Sequence, residues 1–127
     1  MNYGELTALI VDDFATIRRI IKGILYDNGF RSMVEAETGA AAVDILNTRK
    51  VDLIISDWNM PQMTGIELLK WVRSNEATKG IPFIMVTTEN EKANIVEAVR
   101  AKVSNYITKP FTAETLTEKL KKVLVQD

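Results

Sequence analysis

LIISDWNMPQMTGIELL, residues 53–69, places an apolar run of strand length shortly before a helix-start signal. Residues 53–55 form the apolar run, and the strand that contains them is expected to end at polar Asp57. Near-continuous apolar strands are typical of a sheet covered on both faces. Thr64 and Glu67 have the spacing of a capping box, in which each side chain accepts a backbone N–H of the first helical turn. The segment therefore predicts a strand, a polar loop and a helix in succession.

The same order of strand and helix recurs along the 127 residues. Strands that alternate with helices predict a parallel sheet that is covered on both faces and joined by right-handed crossovers. We therefore expect the α/β class, with a single (β/α)5 doubly wound parallel five-stranded sheet that occupies residues 1–127 as one domain. The expected strands contain residues 9–11, 33–36, 53–55, 83–86 and 106–107.

Apolar residues at helical spacing follow the expected strands. Asn28 and Gly29 supply a stop signal after the first helix, and Thr112 supplies a start signal before the fifth. The second helix is expected over residues 39–46. The apolar positions of the others are Ile17, Ile20, Ile21, Ile24 and Leu25 in the first helix, Ile66, Leu69 and Val72 in the third, Ile95, Ala98 and Val99 in the fourth, and Leu116, Leu120, Val123 and Leu124 in the fifth.

Composition excludes several kinds of chemistry. The chain has no cysteine and no histidine, which excludes a disulfide, a thiolate nucleophile, a Ser-His-Asp triad and a Cys/His zinc site. A net charge of -1 gives no reason to expect nucleic acid or a membrane surface as partner. The early apolar run over residues 8–11 is too short for a signal peptide or a membrane span, so we expect a cytoplasmic protein.

Polar residues follow four of the expected strands. In open α/β sheets the functional crevice forms beyond the carboxyl ends of the strands, where the strand order reverses. Asp12 and Asp13 follow the first strand, Asp57 the third, Thr87 the fourth and Lys109 the fifth. Each alone has an ordinary structural explanation, such as a turn, a helix cap or a solvated loop charge. Together they predict one polar cluster, provided that the first and third strands are neighbours.

The expected cluster needs a cation. Three close carboxylates repel one another by about 4 kcal/mol per pair at an effective dielectric constant of about 20. Mg²⁺ fits, because it prefers hard oxygen ligands, here Asp12, Asp13, Asp57 and a backbone carbonyl near Asn59. A carboxylate beside a metal indicates phosphoryl transfer with Asp57 as nucleophile, and Lys109 would neutralise the charge of the transferred group.

These residues resemble those of bacterial response-regulator receivers, and specifically the chemotaxis branch of two-component signalling. The most specific stretches are Asp57-Trp58-Asn59-Met60-Pro61 and Lys109-Pro110-Phe111-Thr112. The other matching residues are Val11-Asp12-Asp13-Phe14, Arg18-Arg19, Ser56, Gly65, Leu68-Leu69-Lys70, Thr87 and Tyr106. The resemblance spans nearly the whole chain.

The resemblance implies a flavodoxin-like strand order of 2-1-3-4-5 and a phosphorylated aspartate. It assigns Asp57 as the phosphorylation site, Asp12, Asp13 and the Asn59 carbonyl to Mg²⁺, and Thr87 and Lys109 to the phosphoryl group. It also implies a cis Lys109–Pro110 bond and a Tyr106 that moves between exposed and buried rotamers as Thr87 shifts. Without the resemblance, Tyr106 is most simply a strand aromatic with its hydroxyl at the surface.

The resemblance also implies the partners. Since the chain lacks histidine, the phosphoryl donor would be a separate histidine kinase or a small acyl phosphate. Output would come from the same domain, a monomer, by docking of the fourth helix, fifth strand and fifth helix onto the flagellar motor switch protein, with a dedicated phosphatase as a further partner. The candidate docking contacts are Lys92, Ile95, Val99, Tyr106 and Lys119.

Four residues depart from the family pattern. Lys102 stands where a glycine is expected before the fifth strand, and Thr108 replaces a commonly aliphatic residue. Thr64 replaces an Asp before Gly65, and Thr88 is bulkier than the alanine that often follows the switch threonine. Because Lys102 and Thr108 lie on or near the expected docking face, a phosphate sink or a regulator of a non-flagellar target is an open alternative. Thr88 is expected to narrow access to the phosphoryl group.

Two other function classes fit less well. A Mg²⁺-dependent phosphatase that passes through an aspartyl phosphate needs a substrate pocket, for which 127 residues leave little room. A flavodoxin-like cofactor binder needs a phosphate loop rich in Gly, Ser or Thr, whereas Asp12 and Asp13 would repel an anionic cofactor. We therefore expect a protein that catalyses only its own phosphorylation and dephosphorylation.

Overall fold

The structure is a computed structural model that describes residues 3–88 and 92–124, without the side chains of residues 92 and 93. Its strands are β1 (Thr7–Val11), β2 (Ser32–Ala36), β3 (Leu53–Asp57), β4 (Phe83–Thr88) and β5 (Asn105–Lys109). Its helices are α1 (Ala15–Asp27), α2 (Gly39–Thr48), α3 (Gly65–Ser74), α4 (Lys92–Arg100) and α5 (Ala113–Val123). None of these helices combines the length and the apolar character that crossing a membrane requires.

The strands form one parallel sheet in the order β2-β1-β3-β4-β5, which confirms the expected fold. β1 lies beside β3, with Leu9 opposite Ile54 and Val11 opposite Ser56. The chain therefore winds outward in both directions from the β1–β3 pair. This reversal of strand order places the carboxyl ends of β1 and β3 at the crevice where ligands bind in such sheets.

Each face of the sheet carries its own apolar core. Leu9 and Val11 of β1 point to one face and pack with residues of α2, α3 and α4. Ala8 and Ile10 point to the other face and pack with residues of α1 and α5. Because successive side chains of a strand alternate between faces, a strand covered on both sides must be apolar throughout. The sheet is thereby held rigidly between two helical layers, with its strand ends exposed at the edges.

The predicted start and stop signals lie at helix ends, while α2 extends two residues beyond the expected range, to Thr48. The Thr64 hydroxyl accepts the backbone N–H of Glu67 while the Glu67 carboxylate accepts that of Thr64, which completes the capping box of α3. The Thr112 hydroxyl accepts the backbone N–H of Thr115 at 3.1 Å at the start of α5. α1 ends at Asp27 with Asn28 as its C-cap, and Gly29 follows with a φ of 106°, a value that glycine adopts without strain.

The buried side of α1 follows its apolar spacing except at Ile20 and Arg18. Ile20 is 48% exposed, whereas Arg18, Ile21 and Leu25 are buried. The other apolar positions of the helix pack against the same core, so the apolar pattern identified the helix and most of its inward face. An arginine is buried here because two neighbouring elements supply partners for its guanidinium group.

The turn between α4 and β5 contains a strained residue. Lys102 has a φ of 68°, in the left-handed region where a side chain is disfavoured, and glycine is the residue that adopts it freely. The Nε atom of Arg73 donates to the Lys102 carbonyl at 2.9 Å and helps to hold the turn. The backbone explains why a glycine is expected at this position, and the lysine occupies it in spite of the strain.

Candidate functional site

Three carboxylates converge where β1 and β3 end. One oxygen from each of Asp12, Asp13 and Asp57 lies within 4.8 Å of the other two. Asp12 and Asp57 are 1% and 5% exposed, whereas Asp13 is open to solvent. The expected acidic cluster is present, with two carboxylates held in the protein and one at the mouth of the site.

Lys109 enters this cluster from β5. Its Nζ atom lies 3.1 Å from Oδ1 of Asp57 and 3.6 Å from Oδ2 of Asp12. Lys109 is therefore part of the site and not a solvated loop charge. One ammonium faces three carboxylates, so a cluster with all three ionised retains a negative charge that a further cation would balance.

The environment of Asp57 disfavours its charged form. Burial raises the pKa of the Asp57 carboxyl, and the nearby Asp12 charge raises it further. The hydrogen bond and the charge of Lys109, together with the backbone N–H of Trp58, lower the pKa but do not cancel the effect of burial. A buried carboxyl with a raised pKa among other acids is typical of a functional site, because packing alone gives no reason to place it there.

Asp12 is held in place from three directions. Its backbone N–H donates to the Ala36 carbonyl at 3.1 Å, and its Oδ1 atom accepts the backbone N–H of Phe14 at 2.8 Å. The Nη1 atom of buried Arg18 donates to its backbone carbonyl at 2.7 Å. These contacts fix both the backbone and the carboxylate before any ligand is present.

Sequence reasoning missed the position of Arg18. Its Nε atom donates to Glu35 at 2.8 Å, and the hydrogen bonds from Arg18 and then Lys22 lower the pKa of the Glu35 carboxyl. Arg18 thus links α1, β2 and the end of β1 beside Asp12. The available signal was its spacing of three residues from Ile21, which places it on the same helical side as the core.

The loop after β3 passes close to α3. The backbone N–H of Gly65 donates to the Trp58 carbonyl at 2.8 Å, and that of Trp58 donates to the Val86 carbonyl at 3.0 Å. Trp58 is buried, while Asn59 is exposed two residues beyond Asp57. On the other side of the site, the Lys109–Pro110 bond is cis, as the resemblance implies.

Thr87 and Tyr106 share one face of the sheet. Met85 pairs with Tyr106 and Thr87 pairs with Thr108, and side chains two residues apart on a strand point to the same face. Thr87 is buried at the end of β4, whereas Tyr106 is half-buried and packs against the core on the side of α2, α3 and α4. The two residues that the resemblance assigns to the switch therefore lie on the same side of neighbouring strands.

Most of the expected docking contacts are accessible. Val99 is 60% exposed, Ile95 is half-buried, and the Nζ atom of Lys119 lies 5.5 Å from the centre of the Tyr106 ring. The Lys92 side chain lies outside the described residues. Val96, which sequence reasoning did not select, is 54% exposed. α4 therefore presents two apolar side chains to solvent.

Comparison with known proteins assigns the family. Residues 8–121 match the profile of the response regulator receiver domain. The chain belongs to the response regulator receiver family. This receiver is 50% identical over 115 residues to the chemotaxis protein CheY of Pseudomonas aeruginosa. The matched residues cover 91% of the receiver and 93% of that protein. It is also 50% identical over 119 residues to the chemotaxis protein CheY-3 of Vibrio cholerae, covering 94% and 92% respectively.

A solved structure has the same fold. The chemotaxis response regulator CheY4 of Vibrio cholerae is 36% identical and superposes with a TM-score of 0.86 over 93% of the receiver and 98% of that chain. The expected family and strand order are thus confirmed. The receiver is similar to chemotaxis response regulators along nearly its whole length.

Proposed function

We propose that this receiver accepts a phosphoryl group on Asp57 in a Mg²⁺-dependent reaction and relays chemotaxis signals by docking in its phosphorylated state. The observation that carries the proposal is the position of Lys109, 3.1 Å from Asp57 within a cluster of three carboxylates. If the carboxylates had only a structural role, there would be no reason to bury Asp57 and to pair it with Lys109 of β5. The relatives named as chemotaxis proteins support the signalling role.

The donor set fits Mg²⁺. Asp12, Asp13 and Asp57 offer only hard oxygen ligands, with the exposed Asp13 leaving the site open for entry. These three carboxylates and the backbone carbonyl of Asn59 would hold the ion. When bound, Mg²⁺ supplies positive charge that lowers the repulsion among the carboxylates and offsets the charge of the incoming phosphoryl group.

The protein's own residues then perform the transfer. An ionised Asp57 oxygen attacks the phosphorus of a phosphohistidine on the kinase; the new O–P bond forms as the N–P bond breaks, and the electron pair returns to the imidazole nitrogen. Lys109 faces the oxygen of Asp57 and balances the added negative charge. The Thr87 hydroxyl donates to a phosphoryl oxygen, which draws the end of β4 toward Asp57.

The reaction ends on the protein itself. Water later attacks the phosphorus, breaks the O–P bond and restores the Asp57 carboxylate with release of phosphate. The receiver therefore acts on its own side chain and is not an enzyme for an external substrate. A dedicated phosphatase would accelerate this step.

The phosphorylated state is read through the surface of α4, β5 and α5. Thr87 and Tyr106 lie on one face of neighbouring strands, so a shift of Thr87 changes the space available to the Tyr106 ring. Lys119 of α5 lies beside the Tyr106 ring, and α4 contributes the exposed apolar side chains of Val96 and Val99. We assign this surface to the flagellar motor switch protein, reached by a cytoplasmic monomer.

Labelling with a small acyl phosphate tests the chemistry. We expect the intact mass to increase by one phosphoryl group in the presence of Mg²⁺ and to stay unchanged in excess EDTA, because the carboxylates alone repel the anionic donor. Peptide mapping after reduction of the acyl phosphate should place the label at Asp57. Equal labelling with and without Mg²⁺, or a label at another aspartate, would contradict the proposal.

Binding to the motor switch protein tests the target. With beryllofluoride as a phosphoryl mimic, we expect the receiver to bind the purified motor switch protein about tenfold more tightly, within the usual range of allosteric coupling. The receiver without the mimic is the control. Equal weak binding in both states would contradict the flagellar target and favour a phosphate sink or a regulator of another target.

A further inference from the structure

A groove of about 530 Å³ lies between the C-terminal parts of α3 and α4. Five cationic side chains line it: Lys70, Arg73, Lys79, Arg100 and Lys102. The other residues that line it are Ser74, Gly80 and Ala101, all small and uncharged. The groove therefore concentrates positive charge in a chain whose net charge is -1.

The groove is remote from Asp57. The helices run antiparallel to the strands, so the C-terminal ends of α3 and α4 lie near the amino ends of β4 and β5. Arg73 demonstrates this placement, because it donates to the carbonyl of Ile81, which precedes β4, and of Lys102, which precedes β5. The cationic groove and the acidic cluster thus occupy opposite edges of the sheet.

Part of the positive charge in the groove has no carboxylate partner. Lys70 lies 3.3 Å from Glu97 and Lys79 lies 2.7 Å from Glu76, but both are exposed pairs with weak attraction. Among the residues that the structure describes, Arg73, Arg100 and Lys102 form no ion pair within 4.0 Å. The guanidinium of Arg73 is already engaged, since its nitrogens donate to the carbonyls of Lys79, Ile81 and Lys102 and to the Ser104 hydroxyl. Arg100 and Lys102 therefore supply the exposed charge that can meet an acidic ligand.

The strained backbone of Lys102 is an independent observation at the same place. Its φ of 68° is a conformation that glycine adopts freely and lysine only at a cost in stability. The side chain is exposed and contributes nothing to the core. A residue that lowers stability without packing is explained if its charge serves an interaction.

We propose that this groove binds an acidic segment, rich in Asp and Glu, of a partner protein. Clustered cations without carboxylate partners match the charge of such a segment, and an open groove between two helices fits an extended chain. A nucleic acid duplex fits poorly, since duplex-binding domains carry a broad basic surface and the whole chain is weakly acidic. Because the groove lies away from Asp57, this binding does not depend on the proposed phosphorylation.

Fluorescence anisotropy with a labelled octaglutamate peptide tests the proposal. The receiver should bind one peptide per chain, more weakly as salt is added, because the attraction is electrostatic. Lys102→Gly combined with Arg100→Gln should weaken binding by about tenfold, as two exposed charge contacts are lost. Lys102→Gly should also raise the thermal midpoint by about 2–5 °C through relief of strain, so lost binding would not reflect unfolding.

The matched control is Lys121→Gln with Lys122→Gln. These lysines are exposed on α5, outside the groove, and their replacement changes the net charge equally. We expect the control pair to retain affinity for octaglutamate within about twofold.

Three results would overturn the proposal: an equal loss of affinity in the control pair, unchanged affinity in the groove variant, or equal binding of octaglutamine. Tighter binding of duplex DNA than of octaglutamate would overturn the assignment of a protein partner. Unchanged binding by Asp57→Asn is expected, since the groove acts independently of phosphorylation.

Discussion

Asp57→Asn is expected to abolish labelling by a small acyl phosphate in the presence of Mg²⁺. The amide lacks the ionised oxygen that attacks phosphorus, and neighbouring Asp12 is already engaged by Phe14 and Lys109. Intact mass measured over the time in which the wild type is fully labelled will decide the outcome. The matched control is Asp44→Asn, an exposed aspartate of α2, which should be labelled like the wild type. Residual labelling of Asp57→Asn at the wild-type rate would mean that another residue is the acceptor.

The same substitution has a predicted effect on stability. Burial raises the pKa of Asp57 in the folded protein above its value in the unfolded chain. At pH values between these two pKa values the folded state binds more protons than the unfolded chain. The wild type therefore loses stability as the pH rises through this window. The unfavourable contribution of the Asp57 charge to stability is fully present at pH values above the pKa of the folded protein. It is absent at pH values below the pKa of the unfolded chain.

Urea unfolding in excess EDTA measures this effect. We expect Asp57→Asn to be more stable than the wild type at pH 7, with a difference that shrinks as the pH falls toward the ordinary aspartate range of about 4. Lys109 keeps Asp12 as a partner at 3.6 Å, so the substitution does not leave its ammonium unpaired. A difference that stays constant with pH would show that the Asp57 charge is not its cause.

Gly65→Ala is expected to cause the largest loss of stability. A Cβ atom at Gly65 would lie 2.9 Å from Cα of Trp58 and 2.8 Å from Sδ of Met85, and closer still to the backbone oxygen of Asp57. Two of these atoms are backbone, so a rotamer change cannot relieve the contact. We expect the free energy of unfolding to fall by about 3 kcal/mol, at the upper end for overpacking. Because the backbone of Asp57 must shift, phosphoryl labelling should also slow.

Gly23→Ala is the matched control for Gly65→Ala. It adds the same methyl group inside α1, where a Cβ atom would meet nothing within 4 Å. Alanine is the better helix former by about 1 kcal/mol, so this variant should be as stable as the wild type or more so. Urea unfolding of both variants provides the comparison. Similar losses in the two would contradict the explanation by close packing.

Local signals in the sequence predicted the elements and their chemistry well. The capping box of Thr64 and Glu67 involves atoms within one helical turn, and the apolar runs depend only on burial of the strand that contains them. The rule that ligands bind at strand ends then selected Asp12, Asp57 and Lys109. The resemblance added the strand order and the family, both of which are confirmed.

Spatial relationships between distant segments lay beyond these signals. The apolar spacing of α1 predicted the helix, but the burial of Arg18 depends on Glu35 of β2 and on the Asp12 carbonyl, which accept its hydrogen bonds. The lack of space at Gly65 depends on Trp58 and Met85 in other elements.

The amino-acid sequence by itself determined the alternation of strands and helices, the polar residues at the strand ends and the absence of histidine and cysteine chemistry. Only the tertiary structure decided that Lys109 lies 3.1 Å from Asp57, that Arg18 holds Asp12 and that five cations from α3, α4 and their loops line one groove. The physical reason is range. Backbone preferences and hydrogen bonds within a turn act over a few residues, whereas burial, pKa and charge density depend on which side chains the sheet brings together from distant parts of the chain.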